Sequence, residues 1–125
     1  PEMKNGHCKN LFLRDKQKQY YLFVTLEDKQ ISFNTLQNRL DTRRLSLGRP
    51  KEMYDFLGVK PGAVTPFAIM NPSAAEIIVV LDREILDKKY LNFHPLHNRA
   101  TTTISSKDLI LFIESFGYLP KIVTI

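Results

Sequence analysis

Two apolar runs joined by a short polar connection constrain this chain more than any other feature in it. CKNLFLR at 8–14 is followed by DKQKQ and then by YYLFVTL at 20–26. Runs rich in Leu, Phe, Tyr and Val on either side of a polar turn read as the two strands of a hairpin. Side chains alternate between the two faces of a strand, so Leu11, Phe12 and Leu13 put apolar groups on both sides. A strand of that kind is stable inside a sheet that is covered on both faces. Lys9 and Asn10 are expected at the polar end of the first strand, where such groups line a cleft.

The rest of the chain supplies the cover. FNTLQNRL at 33–40 spaces Phe33, Leu36 and Leu40 on one helical face, with Asn34 as the expected cap. RRLSLG reads as a short strand closed by Gly48. In RPKEMYDFLGV, Pro50 suits a first helical position, Met53, Phe56 and Leu57 share a face, and Gly58 suits a left-handed stop. PGAVTP should suppress regular structure until FAIM forms a strand. EIIVVLD at 76–82 is the clearest buried strand, and YLNFHP at 90–95 and TTTIS at 101–105 are further candidates. Ser105 or Ser106 should cap a helix over 107–116, striped by Leu109, Ile110, Phe112, Ile113 and Phe116 and ended by Gly117, and KIVTI returns to the sheet. Irregular alternation of strands and helices predicts a mixed α/β (α+β) fold, a mixed sheet with flanking helices.

A length of 125 residues at 43% hydrophobic composition supports one core, so a single domain over 1–125 is expected. The balance of 18 Lys and Arg against 13 Asp and Glu, net +5, favours a polyanionic partner without requiring one. Cys8 is the single cysteine, which excludes an internal disulfide and a multi-cysteine zinc site and favours a reducing, intracellular setting. No apolar stretch approaches the roughly 20 residues of a membrane span, so no membrane partner is expected. The chain opens at Pro1, without an initiator Met, almost directly into a strand pattern, and reads as an incomplete chain.

Several constellations bear on chemistry. His7, His94 and His97 are the only histidines. A spacing of three suits one side of a helix, but Pro95 and the strand before it oppose a helix there, and no carboxylate pair completes a ligand set, so no metal is expected. There is no GxSxG elbow. Cys8 beside Lys9 has the appearance of an activated thiolate, but alternation sends neighbouring side chains to opposite faces, and Cys8 reads as a small core residue. PGAVTP is a rigid loop whose backbone groups a ladder cannot all use, and Gly62 permits close approach of a ligand. Arg43, Arg44, Arg49 and Lys51 cluster in RRLSLGRPK, with Lys88 and Lys89 further on. Such runs form a solvated face or a phosphate-tracking patch, and few aromatics are interleaved for base stacking.

Taken together, KNLFLRD at 9–15, PGAVTPF at 61–67, VVLD at 79–82 and FHPLHNRATTTIS at 93–105 resemble the YbaK/ProX family of trans-editing aminoacyl-tRNA deacylases. That family is homologous to the editing domain inserted in bacterial prolyl-tRNA synthetases, and the four blocks occur in the family's order. The resemblance implies a mixed, largely antiparallel sheet in one editing domain without a cofactor. It also implies hydrolysis of the ester between a wrong amino acid and the terminal ribose of proline tRNA, in the cytoplasm, with prolyl-tRNA synthetase as an implied partner. KNLFL and FHP look most like the branch that clears alanine, and the cysteine-clearing branch is the nearest alternative. By the same resemblance, Lys9, Asn10 and Gly62 are the catalytic positions. Ala63, Val64, Thr65 and Pro66 hold the aminoacyl end, and His94, Asn98, Thr101 and Thr102 line the pocket, while His97 is a surface residue. Arg43, Arg44, Arg49 and Lys51 are the expected tRNA contacts.

Family members begin several dozen residues earlier, with a segment of His-Pro and Thr-Glu-Glu type that nothing here matches. One wall of the pocket is therefore expected to be missing or supplied by a neighbouring chain. Two other functions compete: a tRNA- or synthetase-binding module without hydrolysis, and a small-molecule hydrolase on the same scaffold that ignores tRNA.

Overall fold

Each face of the hairpin packs against its own layer, as its sequence demands. The computed structural model describes residues 5–60, 64–93 and 102–125. In chain order the elements are β1 (Asn5–Arg14), β2 (Tyr20–Leu26), α1 (Phe33–Leu40), β3 (Ser46–Leu47), α2 (Pro50–Leu57), β4 (Ile78–Asp82), β5 (Tyr90–Phe93), β6 (Thr102–Ser105), α3 (Ser106–Ser115) and β7 (Lys121–Val123). The strands form one sheet in the order β6-β5-β1-β2-β4-β7, with β3 also paired to β1. Pairing is antiparallel for β1–β2, β1–β3 and β5–β6, and parallel for β1–β5, β2–β4 and β4–β7. The mixed sheet with flanking helices agrees with the expectation from sequence.

Alternation sorts the side chains into two cores. Phe12, Leu22, Val24, Val79, Leu81, Leu91 and Phe93 face one side, where Leu57 of α2 and Leu109 and Ile113 of α3 cover them. Leu13, Tyr21, Phe23, Val80 and Val123 face the other, under Leu36 and Leu40 of α1. Each fully buried Leu or Phe contributes about 1.5–3 kcal/mol by leaving water. No helix among the described residues is long and apolar enough to cross a membrane.

The helix ends show where local chemistry decided the boundaries. Ser32, not Asn34, caps α1: its hydroxyl accepts from the Thr35 N–H at 3.3 Å while its backbone stays extended, and Asn34 already lies within the first turn. Pro50 opens α2, the Arg49 N–H donates to Glu52 Oε1 at 2.8 Å, and Gly58 closes the helix at φ 70°. Ser105 caps α3 by accepting from the Asp108 N–H at 3.0 Å.

FAIM is not a strand. Pro66–Met70 forms a 3₁₀ turn instead, because Thr65 Oγ1 accepts from the Phe67 N–H at 3.3 Å and Pro66 supplies the fixed φ of a first helical position. Pro72–Ala74 and Arg83–Asp87 are further unexpected 3₁₀ segments, the latter started by Asp82, whose Oδ1 accepts from the Glu84 N–H at 3.0 Å.

Candidate functional site

β1 is where the candidate site begins. Its edge toward β2 is paired continuously from Cys8 to Arg14. On the opposite edge β5 runs parallel to Asn5–Cys8, and β3 runs antiparallel to Leu13–Arg14. The Gly48 N–H adds a bond to the Phe12 carbonyl at 2.7 Å. Between Cys8 and Phe12, no strand among the described residues pairs with that edge. Backbone groups of alternate residues point to the same edge of a strand, so Asn10 shares the direction of Phe12 and turns its N–H and C=O to that edge. Lys9 and Asn10 therefore lie in mid-strand and not at its polar end, because the strand begins at Asn5.

Asn10 and Lys9 point to opposite faces, as neighbours in a strand must. The Asn10 amide donates to the Val64 carbonyl at 3.0 Å, tying β1 to the loop that enters the Pro66–Met70 turn. Its Oδ1 is buried and has no hydrogen-bond partner among the described residues. An unsatisfied buried acceptor costs about 1–3 kcal/mol, so this oxygen marks a place where a ligand's donor would be gained at little expense. Phe67, just after that loop, meets Phe93, the last residue of β5, edge to face at 6.0 Å, and Phe112 of α3 at 5.2 Å. Phe93 in turn sits opposite Cys8 in the sheet. Val64 and, through Phe67, the end of β5 at Phe93 thus lie on the Asn10 side of β1.

The other face holds a charged network that the sequence reading left without a role. Lys9 Nζ donates to the Lys29 carbonyl at 2.8 Å. Lys29 Nζ reaches Asp82 Oδ2 at 2.9 Å and Glu84 Oε1 at 2.8 Å. Thr25, opposite Lys9 in register, donates its hydroxyl to Asp82 Oδ2 at 2.7 Å. Asp82 is buried, and this set of donors satisfies it. Burial pulls the Lys29 pKa down, but the bonds to Glu84 and Asp82 outweigh that and leave it raised, so its charge is held. The signal for this network lay in VVLD, an ionisable residue ending an apolar strand.

Cys8 is a core residue, 4% exposed. Burial, with the nearby charges of Glu27 and Asp82, pushes its thiol pKa up to about 12. A thiol held protonated at neutral pH is no nucleophile. Among the described residues no group of three or more His, Cys, Asp or Glu stands together as a metal cage.

The remaining expected positions divide. Thr102 opens β6, exposed, in register with Phe93. Thr65 and Pro66 build the start of the 3₁₀ turn. Gly62, Ala63, His94, Asn98 and Thr101 lie outside the described residues. Arg43 and Arg44 stand at the end of the sheet by the β1–β2 turn, where the Arg43 carbonyl accepts from the Lys16 N–H at 3.0 Å. Arg49 precedes α2, and Lys51 pairs with Asp55 at 2.9 Å.

A model of the aminoacyl-tRNA editing domain matches residues 3–112. The chain belongs to the aminoacyl-tRNA editing domain family. It is 36% identical over 110 residues to the prolyl-tRNA editing protein ProX of Acetoanaerobium sticklandii, an alignment covering 87% of this chain and 67% of that protein. It is 34% identical over 125 residues to the prolyl-tRNA synthetase associated domain-containing protein 1 of Mus musculus, covering 96% of this chain and 73% of that one. The corresponding protein of Danio rerio is 32% identical over 118 residues, covering 93% and 64%. The chain thus spans about two thirds of the length of these editing-domain relatives. The solved structure of a candidate trans-editing enzyme for prolyl-tRNA synthetase superposes with a TM-score of 0.70 over 91% of this chain and 67% of that one, at 18% identity, a likeness of fold. Editing-domain membership agrees with the family that the four sequence blocks resemble.

Proposed function

We propose that this editing-domain chain removes a wrong amino acid from proline tRNA, alanine first, by hydrolysing the ester to the terminal ribose. The observation that carries this reading is Asn10, held in mid-strand with its amide on the Val64 carbonyl. Its buried Oδ1 has no hydrogen-bond partner among the described residues, and Phe67, just after Val64, packs on Phe93. Hydrogen-bonding groups fixed in advance on a strand orient a substrate without reorganising when the reaction occurs. An ester is activated compared with an amide, so orientation and electrostatics suffice without a protein nucleophile. Water oxygen adds to the ester carbonyl, the bond to the ribose oxygen breaks, and that oxygen keeps the proton that water gives up. The tRNA's free ribose hydroxyl and the loop backbone position the water. Lys9 rests on the opposite face with its ammonium on the Lys29 carbonyl, and in this reading it must leave that bond to bring positive charge to the developing oxyanion or the terminal phosphate.

Gly62, Ala63, Val64, Thr65 and Pro66 of the PGAVTP loop, with His94, Asn98, Thr101 and Thr102, form the pocket in this reading, and Arg43, Arg44, Arg49 and Lys51 meet the tRNA. Specificity is a sieve. A synthetase site for proline gains only about 1–3 kcal/mol against a smaller side chain, so a second site that admits alanine and excludes proline completes the discrimination. Prolyl-tRNA synthetase is the partner that this division of labour implies, and the cytoplasm its setting.

The test presents alanine-, cysteine-, serine- and proline-charged proline tRNA, with free amino-acid esters as controls. Alanine should be released fastest. Asn10→Ala and Lys9→Ala should each lower the rate by about 100-fold or more while leaving the urea midpoint near that of the parent. Equal cleavage of alanine and proline esters would sink the sieve. Binding of tRNA without turnover would make the chain a binding module, and turnover confined to free esters would make it a small-molecule hydrolase.

A further inference from the structure

The end of the sheet away from Tyr90 and the start of β1 carries a concentration of positive charge that the site at Asn10 does not use. A groove of about 410 Å³ lies there, lined by Arg14 at the end of β1, Lys16 and Lys18 of the β1–β2 connection, Arg44 of the α1–β3 connection and Ser46 at the start of β3. Arg43 continues it into a neighbouring polar cleft that shares Arg44. Among the described residues, Lys16, Lys18, Arg43 and Arg44 form no ion pair, whereas Arg14, Lys29 and Lys51 are matched with carboxylates.

The two connections are fastened to each other. Asp15 is buried beneath them and accepts from the Gln17 and Gln19 N–H groups at 2.9 Å, the Tyr21 hydroxyl at 2.8 Å and the Thr42 hydroxyl at 2.6 Å. This acid lines the groove, but its lone pairs are turned inward and occupied. The Lys16 N–H to Arg43 carbonyl bond adds a second tie. Lys18 and Arg44 hold left-handed backbone angles, φ 63° and 57°, which long side chains seldom adopt. Glycine would fit both positions more easily, yet each carries a long cation directed at one groove.

We infer that this groove holds phosphates of the RNA backbone a few nucleotides back from the aminoacylated ribose. The inference rests on the editing function proposed above and adds Lys16 and Lys18 to the tRNA contacts as a defined, pre-tied anion track. Four residues of strand separate Asn10 from Arg14, about 13 Å at the usual rise per residue. A strand of RNA whose last ribose sits at Asn10 and which leaves along β1 toward Arg14 passes the groove within its final nucleotides. Phosphate contacts of this kind position the RNA and read no bases.

The experiment compares the parent with Lys16→Glu/Lys18→Glu and, on the other connection, Arg44→Ala. Affinity for uncharged proline tRNA is measured at several salt concentrations, and turnover is measured on 3′-alanyl-adenosine, which lacks the preceding phosphates. The double variant should bind tRNA at least about 10-fold more weakly. Its plot of log affinity against log salt should be shallower by about 2, one for each lysine. Its turnover of alanyl-adenosine should match the parent, and Arg44→Ala should weaken tRNA binding in the same direction. Unchanged tRNA affinity and salt slope would overturn the proposal, as would loss of binding to prolyl-tRNA synthetase with RNA binding intact. Equal losses on tRNA and on alanyl-adenosine would also overturn it, since the connections would then merely support the site. If the parent hydrolyses no ester while the salt slope still falls in the variant, the groove stands and the editing function falls.

Discussion

Asp15 illustrates how much a single carboxylate organises here. Burial by itself raises its pKa, but the bonds from Thr42, Gln19, Tyr21 and Gln17 outweigh that, and the group titrates below the ordinary carboxylate range. A lowered folded pKa means that the stabilisation is complete above the unfolded value of about 3.9 and is lost as pH falls through the folded one. Asp15→Asn should therefore cost about 2 kcal/mol at neutral pH. The variant's stability should also fall less steeply than the parent's as the pH drops below the unfolded value of about 3.9. Urea midpoints measured across that range check both expectations. Its partner Tyr21 is pushed the other way, up to about 12, by burial and by the bond to Asp15, so it stays a donor throughout. None of this was legible in DKQKQ, where Asp15 reads as one more polar turn residue. Asn10 was singled out by resemblance, but its buried oxygen, without a partner among the described residues, is a property of packing that no spacing of residues reports.

Elements with strong periodicity or punctuation were the legible ones. The hairpin, α2 between Pro50 and Gly58, and the capped α3 stand where apolar spacing and end signals agreed. FAIM failed as a strand because a short apolar run carries no period of its own, and the Thr65–Pro66 start decided it. Gly48 was read as closing β3, and its deeper role appears only in three dimensions. A Cβ there would stand 2.3 Å from the Phe12 ring, which is 1% exposed and stacks on Tyr20 at 5.4 Å. Gly48→Ala should consequently displace Phe12 and destabilise the protein by about 1–3 kcal/mol. Thermal unfolding measures the loss, and near-ultraviolet circular dichroism should report the disturbed Phe12–Tyr20 stack.

For the molecule as a whole, β2 joins everything. It lies between β1 and β4, with Leu22 and Val24 in one core and Tyr21 and Phe23 in the other. The two cores share one sheet and should melt together. Unfolding followed by far- and near-ultraviolet signals should give coincident transitions, and Phe23→Ala should shift both by about 3–5 kcal/mol. A transition that splits, with one core outlasting the other, would contradict this coupling. The net charge of +5 was readable from composition, but its gathering of Lys16 and Lys18 with Arg43 and Arg44 was not. Those residues are far apart along the chain and meet through the buried Asp15.

Two strands hold one edge of β1. β5 grips the strand before Lys9 and β3 grips it after Phe12, and the two run in opposite senses. Neither grip can follow if the strand lengthens or shortens between them. One residue added or removed would turn Asn10 to the opposite face and reverse every buried side chain beyond it. Over Cys8 to Phe12, variation is confined to exchanging residues in place, and insertions and deletions must be accommodated elsewhere in the chain.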